Sequence, residues 1–205
     1  MSQFISFNTV IGNGKSYLVP IYQRDYSWEK DDWEDLWSDI EEIPNDRQHY
    51  LGYLVLQPIA EANQSYWIID GQQRITTLSL LSLAVIRLLQ DWAESNIETE
   101  DNKIRYDEER KRYIGNFSTS RLTTDPKLKL NRNNDDFYQS YLLNLRRPQA
   151  ISKLKRSQQL LQKAFDYFYE QLSEKFRSNK SGAALSEFLE NIVGNGLIFT
   201  RHYLK

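Results

Sequence analysis

The stretch that most constrains the fold is "LSLLSLAVIRLL", Leu78 to Leu89, an almost unbroken apolar run. It is too short for the roughly 20 residues that a bilayer requires, and Ser79, Ser82 and Arg87 interrupt it. It therefore predicts a buried core helix, from about Ile75 to Ala93, around which the rest of the chain must pack. Directly before it stands "IIDGQQRITTL", Ile68 to Leu78, in which an acid, a glycine, two amides and a guanidinium occupy five consecutive positions.

The surrounding pattern supplies the partners of that helix. "HYLGYLVLQP" and "SYWIID" read as two strands joined through "IAEANQ", a hairpin that delivers the chain to Asp70. Trp33, Leu36, Trp37 and Ile40 recur at helical spacing, with acids crowding the first turn and Pro44 as the stop. "SYLVPIYQRDYSW" begins as a strand, Tyr17 to Ile21, and Pro20 confines it to an edge or a strand end. Beyond Ala93, "ESNIETEDNKIRYDEERKR" predicts a surface helix or a mobile segment. "PKLKLNRNNDDFYQSYLLNL" predicts a short strand, a cap and a helix. Ile151 to Phe176 is the longest amphipathic run, punctuated by "NKSG"; then come "AALSEFLENIVGNG", a helix, and "LIFTRHY", a last strand.

With 205 residues, 40% of them hydrophobic and 13% aromatic, the chain has enough apolar matter for one packed domain with a helical appendage. A formal net charge of -2 leaves no global basic field, so any DNA contact must come from a local patch. The absence of cysteine excludes disulfides, thiol catalysis and cysteine-held zinc. "MSQFISFNTVIGNG" has neither the basic nor the apolar region of a signal peptide. A soluble, cytoplasmic protein without a membrane partner is expected. The chain stops directly after its last strand, as a piece of a longer protein would.

Two constellations carry possible chemistry. In Asp70 to Arg74, a strand passing through a glycine into a helix aims free N–H groups and the positive end of the helix dipole at one point. Gly71 permits positive φ, Gln72 and Gln73 supply directional amides, Arg74 a fork for phosphate oxygens, and Thr76 and Thr77 hydroxyls. The competing reading makes Asp70 the helix cap, the glutamines solvated and Arg74 an ion-pair partner. In "PIYQRDYSW", Gln23 and Arg24 are flanked by Tyr22, Tyr26 and Trp28, a set suited to base stacking and phosphate contact. Here the competing reading packs Tyr22 and Trp28 in the core and pairs Arg24 at the surface. His49 and His202 stand in unrelated contexts and assemble no metal or HNH-type centre. The acids of "EKDDWEDLWSDIEE" read as a solvated face, "GNGKS" lacks the spacing of a phosphate loop, and "KLKRSQQLLQK" is a small basic patch.

Taken in order, "VPIYQRDYSW", "YLGYLVL" and "YWIIDGQQRITTLSLL" resemble the N-terminal domain of GmrS/GmrD-type modification-dependent restriction enzymes, over about residues 17 to 90. The resemblance implies an α+β fold like the ParB and sulfiredoxin nucleotide-binding domains: a small mixed sheet with surrounding helices over residues 1–95, followed by a mainly helical part, 96–205, packed on it. It further implies an NTP-binding and NTP-hydrolysing sensor in a phage-defence restriction system, with GTP or another NTP and Mg2+ as cofactors. Asp70, Gln72, Gln73 and Arg74 would be catalytic; Gly71, Arg74, Ile75, Thr76, Thr77, Gln23 and Arg24 would bind nucleotide; no protein metal site is implied. The alternative is a non-catalytic module reading modified double-stranded DNA through Tyr22, Gln23 and Arg24. A nuclease acting through the same turn is disfavoured, because no carboxylate cluster accompanies it. Expected partners are an HNH-type nuclease domain or subunit, since these 205 residues supply no HNH centre, and a second copy of the chain.

Overall fold

The computed structural model describes residues 3–43, 47–60 and 64–204. Along the chain run β1 (Gln3–Ser6), α1 (Phe7–Ile11), β2 (Ser16–Leu18), α2 (Lys30–Glu41), β3 (His49–Pro58), β4 (Ser65–Asp70) and α3 (Gln72–Glu94). There follow α4 (Thr99–Glu109), continued by a π-helical stretch, Arg110–Ile114, then β5 (Gly115–Ser118), β6 (Thr123–Pro126) and β7 (Leu128–Lys129). The chain closes with α5 (Asp135–Phe137) and its π-helical extension Tyr138–Leu142, α6 (Arg156–Lys175), α7 (Gly182–Glu187) with a π-helical Phe188–Asn195, and β8 (Leu197–Tyr203).

The fold is α+β, as the resemblance implies. Six strands form one mixed sheet in the order β1-β8-β3-β4-β2-β7, and β5 and β6 make a separate hairpin. β3 and β4 pair antiparallel, whereas β2 runs parallel to β4 and β3 parallel to β8. Ile5, Leu54, Leu56, Ile68, Leu197 and Phe199 point into the core, while Phe4, Tyr50 and Tyr53 are exposed, the alternation of a sheet covered on one face. The sheet draws its strands from both sides of residue 95.

α3 is the centre of the molecule. Ile75, Leu78, Leu80, Leu81, Leu83 to Ile86 and Leu89 have no accessible surface, and α4 and α6 pack on it. The whole helix has 23 residues and is long and apolar enough to cross a bilayer, which the apolar run alone is not. Here protein surrounds it instead, with 83% of its most apolar window buried. A single Leu→Ala change at such a position costs about 2–5 kcal/mol, so this helix fixes the fold.

Several elements differ in detail from the sequence reading. β2 ends at Leu18, before Pro20, and lies between β4 and β7 rather than at the edge. α3 begins at Gln72, three residues earlier than its apolar periodicity indicates. α2 opens on a capping box, in which the Glu29 N–H donates to Asp32 at 2.8 Å; its predicted stop, Pro44, lies outside the described residues. The tip of the β3–β4 connection, residues 61–63, lies outside them too. The charged stretch after Ala93 is helical as α4 and is anchored by the buried Asn102, whose Nδ2 donates to the Ile97 carbonyl at 2.9 Å. β1, α1 and the β5–β6 hairpin have no counterpart in the sequence reading.

Candidate functional site

β4 hands the chain to α3 through a single residue, Gly71, at φ +96°. That is the left-handed region, where a side chain is strained. Space is also short: a Cβ on Gly71 would lie 3.0 Å from Leu54 Cδ1 and 3.2 Å from the Tyr53 carbonyl oxygen. Gly71, not Asp70, is the residue at the cap position, and it offers no side chain to the first N–H groups of α3. Those donors and the helix dipole face the turn uncapped. Asp70 is instead exposed at the end of β4, its carboxylate 3.6 Å from Arg74 Nη2.

Arg74 lies back against β3, where Nη1 donates to the Leu51 carbonyl. Gly52 leaves the room for this. It sits at φ +92°, and a Cβ there would collide with the Arg74 guanidinium. The glycine inside "YLGYLVL" thus belongs to the site. In the sequence its signal was a glycine interrupting an otherwise ideal strand.

The two glutamines are buried and bonded, neither solvated nor free. Gln72 Nε2 donates to Gln23 Oε1 and to the Arg24 carbonyl, each at 3.2 Å. Gln73 Oε1 accepts from the Ser27 N–H at 2.9 Å, and its Nε2 donates to the Asp25 carbonyl at 3.2 Å. Gln23 in turn donates to the Ile69 carbonyl at 2.9 Å. Residues 23–27 have no regular structure of their own, so these bonds shape the loop from the helix side.

On the far side Asn131 donates to the Gln23 carbonyl at 3.1 Å and to Asp25 Oδ1 at 2.7 Å. In the sequence the "NRNNDD" stretch signals only a cap. Beneath the loop the Trp33 indole donates to the Tyr26 hydroxyl at 3.0 Å, and Thr77 donates to the Gln73 carbonyl at 2.8 Å. With the Thr77 hydrogen committed, the Tyr26 hydroxyl is the donor in its 2.8 Å bond to Thr77. Burial pushes the Tyr26 phenol above its ordinary pKa, which keeps it in the neutral, donating form.

Gln23, Arg24, Trp28 and the five residues Asp70 to Arg74 line one cleft of about 160 Å³. The two constellations therefore meet. Ile75, Thr76 and Thr77 are buried behind the cleft rather than on its wall, and Thr77 belongs to the relay under the loop. Tyr22 is 72% exposed and stands off from the cleft beside an equally open Ile21. It is not packed in the core; Tyr26 holds that place. His49 pairs with Asp39 at 3.2 Å, remote in sequence from either motif. Among the described residues no group of three or more His, Cys, Asp or Glu side chains is placed to hold a metal ion.

A strand, a left-handed glycine and a helix start without a side-chain cap, with two arginines on the cleft wall, define an α+β domain built around a glycine turn at a helix N-terminus. Comparison with family models identifies which domain this is: the chain belongs to the family described as the GmrSD restriction endonuclease N-terminal domain, matched over residues 7–204. Its role is accordingly in a GmrSD-type restriction system, a phage-defence function. Comparison with curated proteins gave no match.

Proposed function

We propose that the cleft between the two motifs binds the phosphates of a nucleoside triphosphate and supports their hydrolysis, as the sensor step of the restriction system. The observation that carries this reading is the convergence of uncapped helix N–H groups, Arg24 and Arg74 on one cleft. At about 160 Å³ the cleft is smaller than the roughly 300–1,000 Å³ that holds a whole small-molecule ligand, so it fits the phosphate end and leaves sugar and base outside. Arg74 neutralises phosphate charge with the donors that Leu51 and Asp70 do not use. Arg24 closes on the phosphates from the loop.

Gln72 and Gln73 are positioning residues, because their amides are spent on the loop. Asp70 is the one carboxylate on the cleft wall, and a magnesium ion arriving with the phosphates would find its protein ligand there. A second reading has its own observation. Ile21 and Tyr22 expose apolar surface beside Arg24, a tip suited to modified double-stranded DNA, with cleavage left to a partner nuclease of the HNH type.

An NTP panel that includes GTP, run with and without modified DNA, separates the two. Turnover by the wild type that falls about 100-fold or more in Arg74→Ala supports the hydrolytic role. Turnover and nucleotide affinity untouched in Arg74→Ala would remove it and leave the DNA reading.

A further inference from the structure

Trp28 is the one aromatic residue, among those described, on the wall of the cleft. Tyr22 stands off from it, and Tyr26 is buried beneath the loop. Trp28 is half-buried against the core, as the competing sequence reading has it, and it lines the cleft as well. Trp33, Trp37 and Trp92 each lie against another aromatic ring, at centroid distances of 5.9–6.5 Å. Among the described residues Trp28 has no such ring, no cation over its face and no acceptor for its indole N–H.

The backbone that carries this ring is held on both sides. The Ser27 N–H before it donates to Gln73 Oε1 at 2.9 Å. Glu29 after it is the cap residue of α2, and its N–H donates to Asp32 at 2.8 Å. These bonds exist in the free protein, so the ring gives up little freedom when a ligand arrives. The amides nearby are engaged with the protein instead. Gln23 Nε2 donates to the Ile69 carbonyl and its Oε1 accepts from Gln72, and both ends of the Gln73 amide are bonded to the loop. For the flat, apolar part of a ligand the cleft therefore offers the indole.

With phosphates seated in the cleft as proposed above, we infer that Trp28 is the platform on which the base of the nucleotide stacks. The phosphates occupy the space between Arg24 and Arg74, and the base, for which about 160 Å³ leaves no room, lies on the indole. Stacking on an aromatic face accepts any base, because every base has a π-face. Trp28 thus binds the nucleotide and takes no part in the chemistry at its phosphates.

Equilibrium binding of a non-hydrolysable GTP analogue and of inorganic tripolyphosphate to the wild type, Trp28→Leu and Trp28→Phe tests this, with melting temperatures taken on the same samples. Trp28→Leu is expected to weaken the GTP analogue about tenfold and to leave tripolyphosphate unchanged. Trp28→Phe, which keeps a ring, stays within about threefold of the wild type for both ligands. The analogue quenches part of the tryptophan fluorescence of the wild type, tripolyphosphate does not, and the quench is absent from Trp28→Phe. If tripolyphosphate binds but Trp28→Leu weakens both ligands equally or neither, the platform is overturned and the phosphate reading of the cleft stands. A quench that persists in Trp28→Phe also overturns it. Failure of the wild type to bind either ligand removes the phosphate reading and the platform with it.

Discussion

The two halves of the cleft are made in opposite ways. Asp70 to Arg74 lies on regular structure, with a strand end, one left-handed glycine and the first turn of a helix that is mostly buried. Gln23 to Ser27 has no ladder or helix of its own and takes its shape from the amides of Gln72 and Gln73 on one side and Asn131 on the other. The first half is thus the template and the second a cast taken from it. Side-chain chemistry divides accordingly. The glutamines are consumed in holding the halves together, and in the proposed function it is the arginines, Arg74 with the donors that Leu51 and Asp70 do not use, that meet the ligand. A polar motif at a helix start therefore combines two tasks that look alike in one-letter code.

This division can be broken from either side. The largest effect belongs to the template. Gly71→Val places a branched side chain at φ +96° and against Leu54 and the Tyr53 carbonyl. A loss of about 3 kcal/mol or more is expected, which for a chain of this size lowers the melting temperature by about 6–12 °C in a thermal scan. Next comes the joint between the halves. Gln73→Leu leaves the Ser27 N–H and the Asp25 carbonyl without their partners, at a cost of about 2 kcal/mol. The loop then loosens, and tryptic cleavage after Arg24 accelerates relative to the wild type; an unchanged cleavage rate would mean that Gln73 does not hold the loop.

Much of the frame was legible because it rests on local periodicity. The apolar run of α3, the i, i+3, i+4, i+7 residues of α2 and the β3–β4 hairpin each declare themselves within about a dozen positions. β8 reads as a strand from "LIFTRHY", but its place between β1 and β3 is a pairing across most of the chain, which no local signal encodes. The site shows the same boundary. Its residues were legible as a group, whereas the role of each depended on partners far away in sequence. Gln73 meets Asp25 and Ser27 across more than forty positions, and Gly52, which its own strand needs at φ +92° where the β3–β8 register shifts, also leaves room for Arg74. Asp70 looked like a cap because acids commonly are; the left-handed glycine after it took that position and left the carboxylate exposed.

Arg24 gives the most direct test of the central claim that the arginines face the ligand while the glutamines hold the frame. It is exposed and its guanidinium makes no ion pair among the described residues, so its removal spares the fold. Equilibrium binding of a labelled nucleoside triphosphate to the wild type and to Arg24→Ala, with melting temperatures taken on the same samples, isolates that side chain. An affinity about tenfold lower is expected, since a charge-assisted phosphate contact contributes about 1.5–3 kcal/mol, at a melting temperature within about 1–2 °C of the wild type. Equal affinity in the two proteins would contradict it.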